Sequence, residues 1–228
     1  HTTTYTYNAR NDVLTTTDPL GHVTTNTYNT NGDLLTTTDA LGNVTSHTYD
    51  ADGNLTSTTD ALGNITQNEY DASGNRVKEI DPHGNQTVYT FDNYGNELTE
   101  TATRTVNGAP VAMTTTKTYD IRNNVVSVTD PDGNQTATEY NYQVDKDAAT
   151  IDRNGARTEF TYDGRGNLTK TLFADGSSAV NTYDAEGNRL SSTDRNGHTT
   201  AFAYDTAGNL VRTDFEDGAH TAMEYDAA

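Results

Sequence analysis

Two short stretches carry residue types and spacing that could hold a metal. Asp50-x-Asp52-x-Asn54 and Asp130-x-Asp132-x-Asn134 reproduce the first three oxygen-ligand positions of a calcium loop. The chain is acidic enough to attract a hard cation, with 14 Lys and Arg against 33 Asp and Glu and a net charge of -19. The match stops there. Ala61 occupies the position where a calcium loop needs its bidentate Glu, and related stretches such as Asp71-Ala72-Ser73 lose the pattern. Asp50, Asp52, Asn54, Asp130, Asp132 and Asn134 are therefore weak calcium candidates, and neither a metal nor a cofactor is expected.

Other chemistry is harder still to find. The six His (His1, His22, His47, His83, His198 and His220) form no His-x-x-x-His or Glu-x-x-His pair. Cysteine is absent, which removes thiolate sites and disulfides. There is no phosphate-cradling glycine loop and no Gly-x-Ser-x-Gly elbow. Carboxylates recur at equivalent positions along the chain, whereas a catalytic pair should occur once, so no enzyme is expected. The negative charge argues against a nucleic-acid partner. No run of apolar residues is long enough for membrane insertion as a helix.

What must position these residues is a tandem repeat. Tyr7, Tyr28, Tyr49, Tyr70, Phe91, Tyr119, Tyr140, Tyr162, Tyr183, Tyr204 and Tyr225 mark it, mostly 21 residues apart. Two intervals differ, one of 28 and one of 22 residues. Asp or Asn follows every marker. Gly32, Gly53, Gly74, Gly95, Gly166, Gly187 and Gly208 stand four residues after theirs, with Asn11 and Asn123 at equivalent places. A second Gly follows within each interval, as at Gly21, Gly42 and Gly63. A composition this poor in large apolar side chains would on its own suggest disorder, but a disordered chain has no reason to keep such a period.

Tyr and Thr favour strands. Asp or Asn accepts bonds from the backbone N–H groups just ahead of it, and Gly takes the left-handed conformation that closes a tight loop. Tyr49-Asp50-Ala51-Asp52-Gly53-Asn54 and Thr59-Asp60-Ala61-Leu62-Gly63-Asn64 thus each read as strand end, turn and restart. Each repeat holds two strands and two turns. The frequency of Gly, Asn, Asp and Thr leaves no window for a helix. The fold class expected is all-β: tandem hairpins of about 21 residues in a continuous antiparallel sheet of roughly twenty strands, curling into a spiral, a partial shell or a coiled ribbon. The aromatics should act as a structural ladder, with Val13, Leu34, Leu55, Val125, Leu168 and Leu210 filling the spaces between them.

Residues 1–228 read as a single array. Residues 98–118 read as an extended hairpin, turning at Asn107-Gly108 and projecting beyond its neighbours. Residues 140–162 form a degenerate repeat that lacks its first Gly and places Val144 there. The chain starts just after a turn position and stops inside the next, so it is expected to be a window of a longer array. Asn-x-Thr sequons at Asn43, Asn54, Asn64, Asn85, Asn134 and Asn167 follow from turn Asn residues preceding strand Thr residues.

The pattern Tyr49-Asp50-Ala51-Asp52-Gly53-Asn54-Leu55, repeated as Tyr204-Asp205-Thr206-Ala207-Gly208-Asn209-Leu210, resembles the YD-repeat or Rhs family. Asp60-Ala61-Leu62-Gly63 and Asp130-Pro131-Asp132-Gly133 supply that family's second signature. Members often carry Arg after the turn Gly, where this chain mostly has Asn. The resemblance implies a hairpin sheet spiralling into a hollow shell. Such shells enclose a C-terminal effector in bacterial polymorphic toxins and toxin complexes, and a related shell belongs to the ectodomain of animal teneurins.

The expected function is a structural scaffold of a large secreted or cell-surface protein, bacterial by its lack of cysteine. The chain would form shell wall or stalk, with the effector or adhesive part elsewhere. Two alternatives stand beside it: a module that binds carbohydrate or a cell-surface partner on an aromatic face, and a filament subunit that stacks through its edge strands. Expected partners are the remaining repeats of the parent protein, other copies of the chain, an enclosed effector or a cell-surface glycan.

Overall fold

The computed structural model describes residues 2–225. The described residues contain no helix; they form β-strands joined by turns. The chain divides into two compact units, the first ending at Thr116 and the second beginning at Lys117. Within each unit, consecutive strands pair antiparallel, which is the tandem-hairpin architecture the repeat implies.

The repeat is built from one kind of loop used twice. In the first unit β3 (Val23–Tyr28) leads through Asn29–Asp33 to β4 (Leu34–Thr38), and β4 leads through Asp39–Asn43 to β5 (Val44–Tyr49). In the first of these loops the Gly32 N–H donates to the Asn29 carbonyl at 3.2 Å, and the Asn29 N–H donates to Asp33 at 2.9 Å. In the second, Gly42 donates to Asp39 at 3.0 Å and Asp39 to Asn43 at 2.9 Å. Three residues bulge out of each loop, and the third is left-handed, as at Gly53 with φ 89°. Asn11 and Asn123 hold that conformation at φ 67° and 66°. The degenerate repeat, residues 140–162, differs: between β13 (Gln135–Asn141) and β14 (Lys146–Ile151) the turn has four residues, Val144 keeps the N–H bond to the Asn141 carbonyl at 3.3 Å, and the left-handed residue is the fourth, Asp145 at φ 53°.

The two kinds of hairpin differ in their pairing. β3 and β4 align Tyr28 with Leu34 but Thr27 with Thr36, so Leu35 has no partner and forms a bulge. β5 and β6 (Leu55–Thr59) repeat this at Tyr49/Leu55, and β7 (Ile65–Tyr70) and β8 (Arg76–Ile80) at Tyr70/Arg76. The second unit has the same bulge between β17 (Ser178–Tyr183) and β18 (Arg189–Thr193). The alternate pairings carry no bulge among the described residues and, apart from the long hairpin of residues 97–119, are short. β6 meets β7 only from Ser57↔Gln67 to Thr59↔Ile65. The first residues of β6 therefore lie outside the ladder to β7, beside the end of β7 that carries Tyr70.

There is almost no closed core. Ala149 is the one fully buried apolar residue among those described, and no large side chain is fully buried. Strands such as β7 alternate exposed with half-buried positions, with Tyr70 on the half-buried side. The opposite side of the first unit is rich in threonine. Hydroxyls pair across strands there, Thr6 with Thr15 and Thr27 with Thr36 at 2.6 Å each. Cohesion thus rests on backbone ladders and regular side-chain bonds more than on apolar volume.

The interval of 28 residues is occupied by the two longest strands, β10 (Glu97–Val106) and β11 (Ala109–Tyr119). They pair without irregularity from Thr99↔Thr116 to Val106↔Ala109 around Asn107-Gly108.

Candidate functional site

The most regular side-chain feature is the tyrosine row. The Tyr28 hydroxyl donates to the Val13 carbonyl at 2.9 Å, Tyr49 to Leu34 at 2.9 Å, and Tyr70 to Leu55 at 3.0 Å. In the second unit Tyr140 reaches Val125 at 2.9 Å, Tyr183 reaches Leu168 at 3.1 Å, Tyr204 reaches Arg189 at 3.1 Å, and Tyr225 reaches Leu210 at 3.0 Å. Each acceptor lies 15 residues back, on the first residue of the strand that enters the preceding bulge. The bulge and the short ladder beside it leave that carbonyl facing a slot. The phenol crosses the slot and bonds its rim. Burial raises the Tyr49 phenol above its ordinary pKa, with the Asp33 carboxylate adding to the shift. Burial also raises Tyr140 and Tyr162.

Phe91 stands in the same row without a hydroxyl, while Tyr7, with no repeat before it among the described residues, is 54% exposed. The position two residues before the ladder aromatic has a matching role that reading the sequence did not single out. Asn26 Nδ2 donates to the Val13 carbonyl at 3.1 Å, Asn68 to Leu55 at 3.0 Å, and Asn181 to Leu168 at 3.1 Å. In those three repeats one carbonyl accepts from both an amide and a phenol, using both lone pairs. His47 takes this place in the repeat of Tyr49 and bonds the Thr58 hydroxyl at 3.1 Å instead. The recurrence of Asn two residues before Tyr was the available signal.

The Asp residues of the turns are committed to backbone. Asp50 Oδ1 accepts the N–H of Asp52 at 3.0 Å and of Asn54 at 2.9 Å, while its Oδ2 accepts Asn54 Nδ2 at 2.9 Å. Asp130 accepts from Asp132, from both nitrogens of Asn134, and from Arg153. Of the calcium candidates, Asp50 is thus bonded to the Asn54 amide and Asp130 to the Asn134 amide, while Asp52 and Asp132 join through their backbone N–H groups. No group of three or more potential ligands that could hold a metal occurs among the described residues. The Asn54 amide, then its backbone N–H, holds the Asp50 carboxyl below its ordinary pKa, and Asp60, Asp71 and Asp163 are lowered the same way. Asp120 is lowered furthest, to about 2, chiefly by the Tyr142 hydroxyl at 2.5 Å.

Successive turns also touch. A Cβ added at Gly74 would lie 3.8 Å from Asn54 Oδ1, and one at Gly95 the same distance from Asn75. Cations link neighbouring repeats in the second unit: Arg195 bonds Asp175 at 2.6 Å and lies 4.3 Å from the Phe173 ring centre. Along the opposite set of turns Leu20, Leu41 and Leu62 point outward at 77%, 88% and 87% exposure. A hollow between two turns is lined by Asp184, Glu186 and Asp205, and another is lined by Leu172 and Phe173.

The chain is similar to a chain in the crystal structure of TcdB2-TccC3-TEV, with a TM-score of 0.69 and 14% identity over 94% of its length. A similar chain in the crystal structure of TcdB2-TccC3 gives a TM-score of 0.61 and 16% identity over 92% of this chain. A third, in the Tc holotoxin pore of Photorhabdus luminescens, gives 0.51 and 13% identity over 96%. These likenesses concern the fold, and the chain spans 12%, 14% and 16% of those chains. No curated protein sequence matches. The RHS repeat model matches residues 28–65, 70–109, 148–178 and 183–220, most of the chain. With its paired turns and its tyrosine row, the chain belongs to the RHS repeat family.

Proposed function

We propose that this chain is wall rather than working part: a scaffold segment of a large Rhs-type protein, secreted or displayed at a cell surface, whose effector or adhesive portion lies elsewhere. The observation that carries this reading is the commitment of the ladder hydroxyls. A surface that stacks sugar rings needs open tyrosine faces and free phenol groups. Here Tyr49, Tyr70 and Tyr183 spend their hydroxyls on the main chain of the preceding repeat. Asp50 is likewise bonded within its own loop, and Asp130 within its loop and to Arg153, which supports a structural role for both over a metal-binding one. Likeness in fold to chains of Tc toxin structures supports a wall that works with further repeats. The outer strands β1 (Thr4–Tyr7) and β21 (His220–Ala222) would pair with such repeats or with another copy.

The test is thermal unfolding of the chain against a panel of mono- and oligosaccharides and calcium. A scaffold shows no saturable shift in Tm. A saturable shift produced by one sugar and abolished by Tyr49→Ala would replace this reading with that of a binding module.

A further inference from the structure

Four Asn-Gly pairs occur in the chain: Asn31-Gly32, Asn107-Gly108, Asn154-Gly155 and Asn196-Gly197. Asn-Gly is chemically special because glycine has no side chain to shield its backbone nitrogen. That nitrogen can attack the side-chain amide carbon of the preceding Asn. The new C–N bond closes a five-membered succinimide, and ammonia leaves with the proton the glycine nitrogen gives up. Water then opens the ring at either carbonyl, giving aspartate or isoaspartate. The reaction needs only water, but it needs the glycine N–H to be free.

Three of the four pairs deny that freedom. Their Gly is the closing residue of the repeat's loop. Gly32 N–H donates to the Asn29 carbonyl at 3.2 Å and to Asn29 Oδ1 at 3.0 Å. Gly155 donates to Asp152 at 2.9 Å, and Gly197 to Asp194 at 3.1 Å. Asn107-Gly108 is built differently. It is the two-residue connection between Val106 and Ala109, with φ 51° at Asn107 and 81° at Gly108. In such a connection the ladder bonds belong to the flanking residues. Neither the Gly108 N–H nor the Asn107 amide makes a hydrogen bond among the described residues, and both residues are exposed.

We propose that Asn107, at the tip of the β10–β11 hairpin, is a site of spontaneous conversion to aspartate and isoaspartate, and that the loop hydrogen bonds hold the other three Asn-Gly pairs against it. The product adds a negative charge at the tip. In its isoaspartate form it also inserts a methylene into the main chain, which a two-residue connection cannot absorb, so the Val106↔Ala109 pairing loosens.

The 228-residue chain is incubated folded, and in parallel unfolded in urea, in mildly alkaline buffer. Conversion at each site is then followed by peptide mass spectrometry that separates aspartate from isoaspartate. Unfolded, the four sites should convert at comparable rates. Folded, Asn107 should convert at least about tenfold faster than the other three, the factor expected when one loop hydrogen bond must open first. Both products should appear at Asn107. Equal rates at all four sites in the folded chain, an earlier conversion at Asn31, Asn154 or Asn196, protection of Asn107 over the period in which the unfolded chain reacts, or aspartate alone at Asn107 would each overturn the proposal.

Discussion

Removing one ladder hydroxyl should cost different amounts in different repeats, and the structure says which repeats pay more. In Tyr70→Phe the Leu55 carbonyl loses a bond of 3.0 Å but keeps the Asn68 amide, also at 3.0 Å. The loss is one net hydrogen bond with no orphaned partner, at the low end of the usual range, about 0.5 kcal/mol. In Tyr49→Phe the Leu34 carbonyl loses its bond of 2.9 Å and no second side chain among the described residues bonds it, since His47 is turned to Thr58. A half-buried acceptor left without its donor carries a desolvation cost, which brings the expected loss to about 1.5 kcal/mol. Urea unfolding followed by circular dichroism reads the difference, since both variants keep the phenyl ring and its packing. For a chain of this length, a 1 kcal/mol change moves Tm by about 2–4 °C. Adding Asn68→Ala to Tyr70→Phe should raise its cost to that of Tyr49→Phe or beyond. Equal losses for the two single variants, or a larger loss for Tyr70→Phe, would refute the claim that the amide and the phenol share one carbonyl.

Gly74→Val should destabilise by about 1–2 kcal/mol through backbone strain at φ 84°. A clash is not the cause, since the nearest atom to the new Cβ is 3.8 Å away, and thermal melting reads the loss. Acid should weaken the fold in a defined window. The turn carboxyls are held below their ordinary pKa in the folded state, so the stability they contribute is present above about pH 4 and is lost as pH falls through the folded values. Asp120, at about 2, is the last to go, and a pH series of urea midpoints should fall steadily below pH 4. Calcium and chelator should leave Tm unchanged, whereas Asp50→Ala should lower it in either condition by removing the acceptor that closes its loop.

The fold was readable because its constraints are local. In most repeats a left-handed residue at every tenth or eleventh position, an Asp or Asn three residues earlier, and Thr-rich runs between them favour hairpins through local bonds alone. The bulge was not readable. Leu35 and Thr56 carry no mark of being the unpaired residue, because the bulge arises from the register between strands and not from a residue type. Without the bulge, the destination of the tyrosine hydroxyl could not be inferred, nor could the shared role of Asn26, Asn68 and Asn181. The outward leucines were hidden for a related reason. Leu62 is an apolar residue inside the Asp60–Asn64 turn, and the loop geometry leaves it 87% exposed. The calcium-like spacing around Asp50 coincides with a turn in which Asn54 bonds Asp50 through both its backbone and its side-chain nitrogen, a pairing the spacing alone does not reveal.

The most direct measurement of the central claim, that the ladder tyrosines belong to the wall and not to a ligand surface, is residue-by-residue nitration of the tyrosines in the folded chain. Tyr94, 83% exposed, is the internal reference. The account expects Tyr94 to react first and Tyr49, Tyr70 and Tyr183 to resist until urea unfolds the chain. Ladder tyrosines nitrated as fast as Tyr94 in the folded chain would contradict it, because their phenols would then be free to meet a ligand.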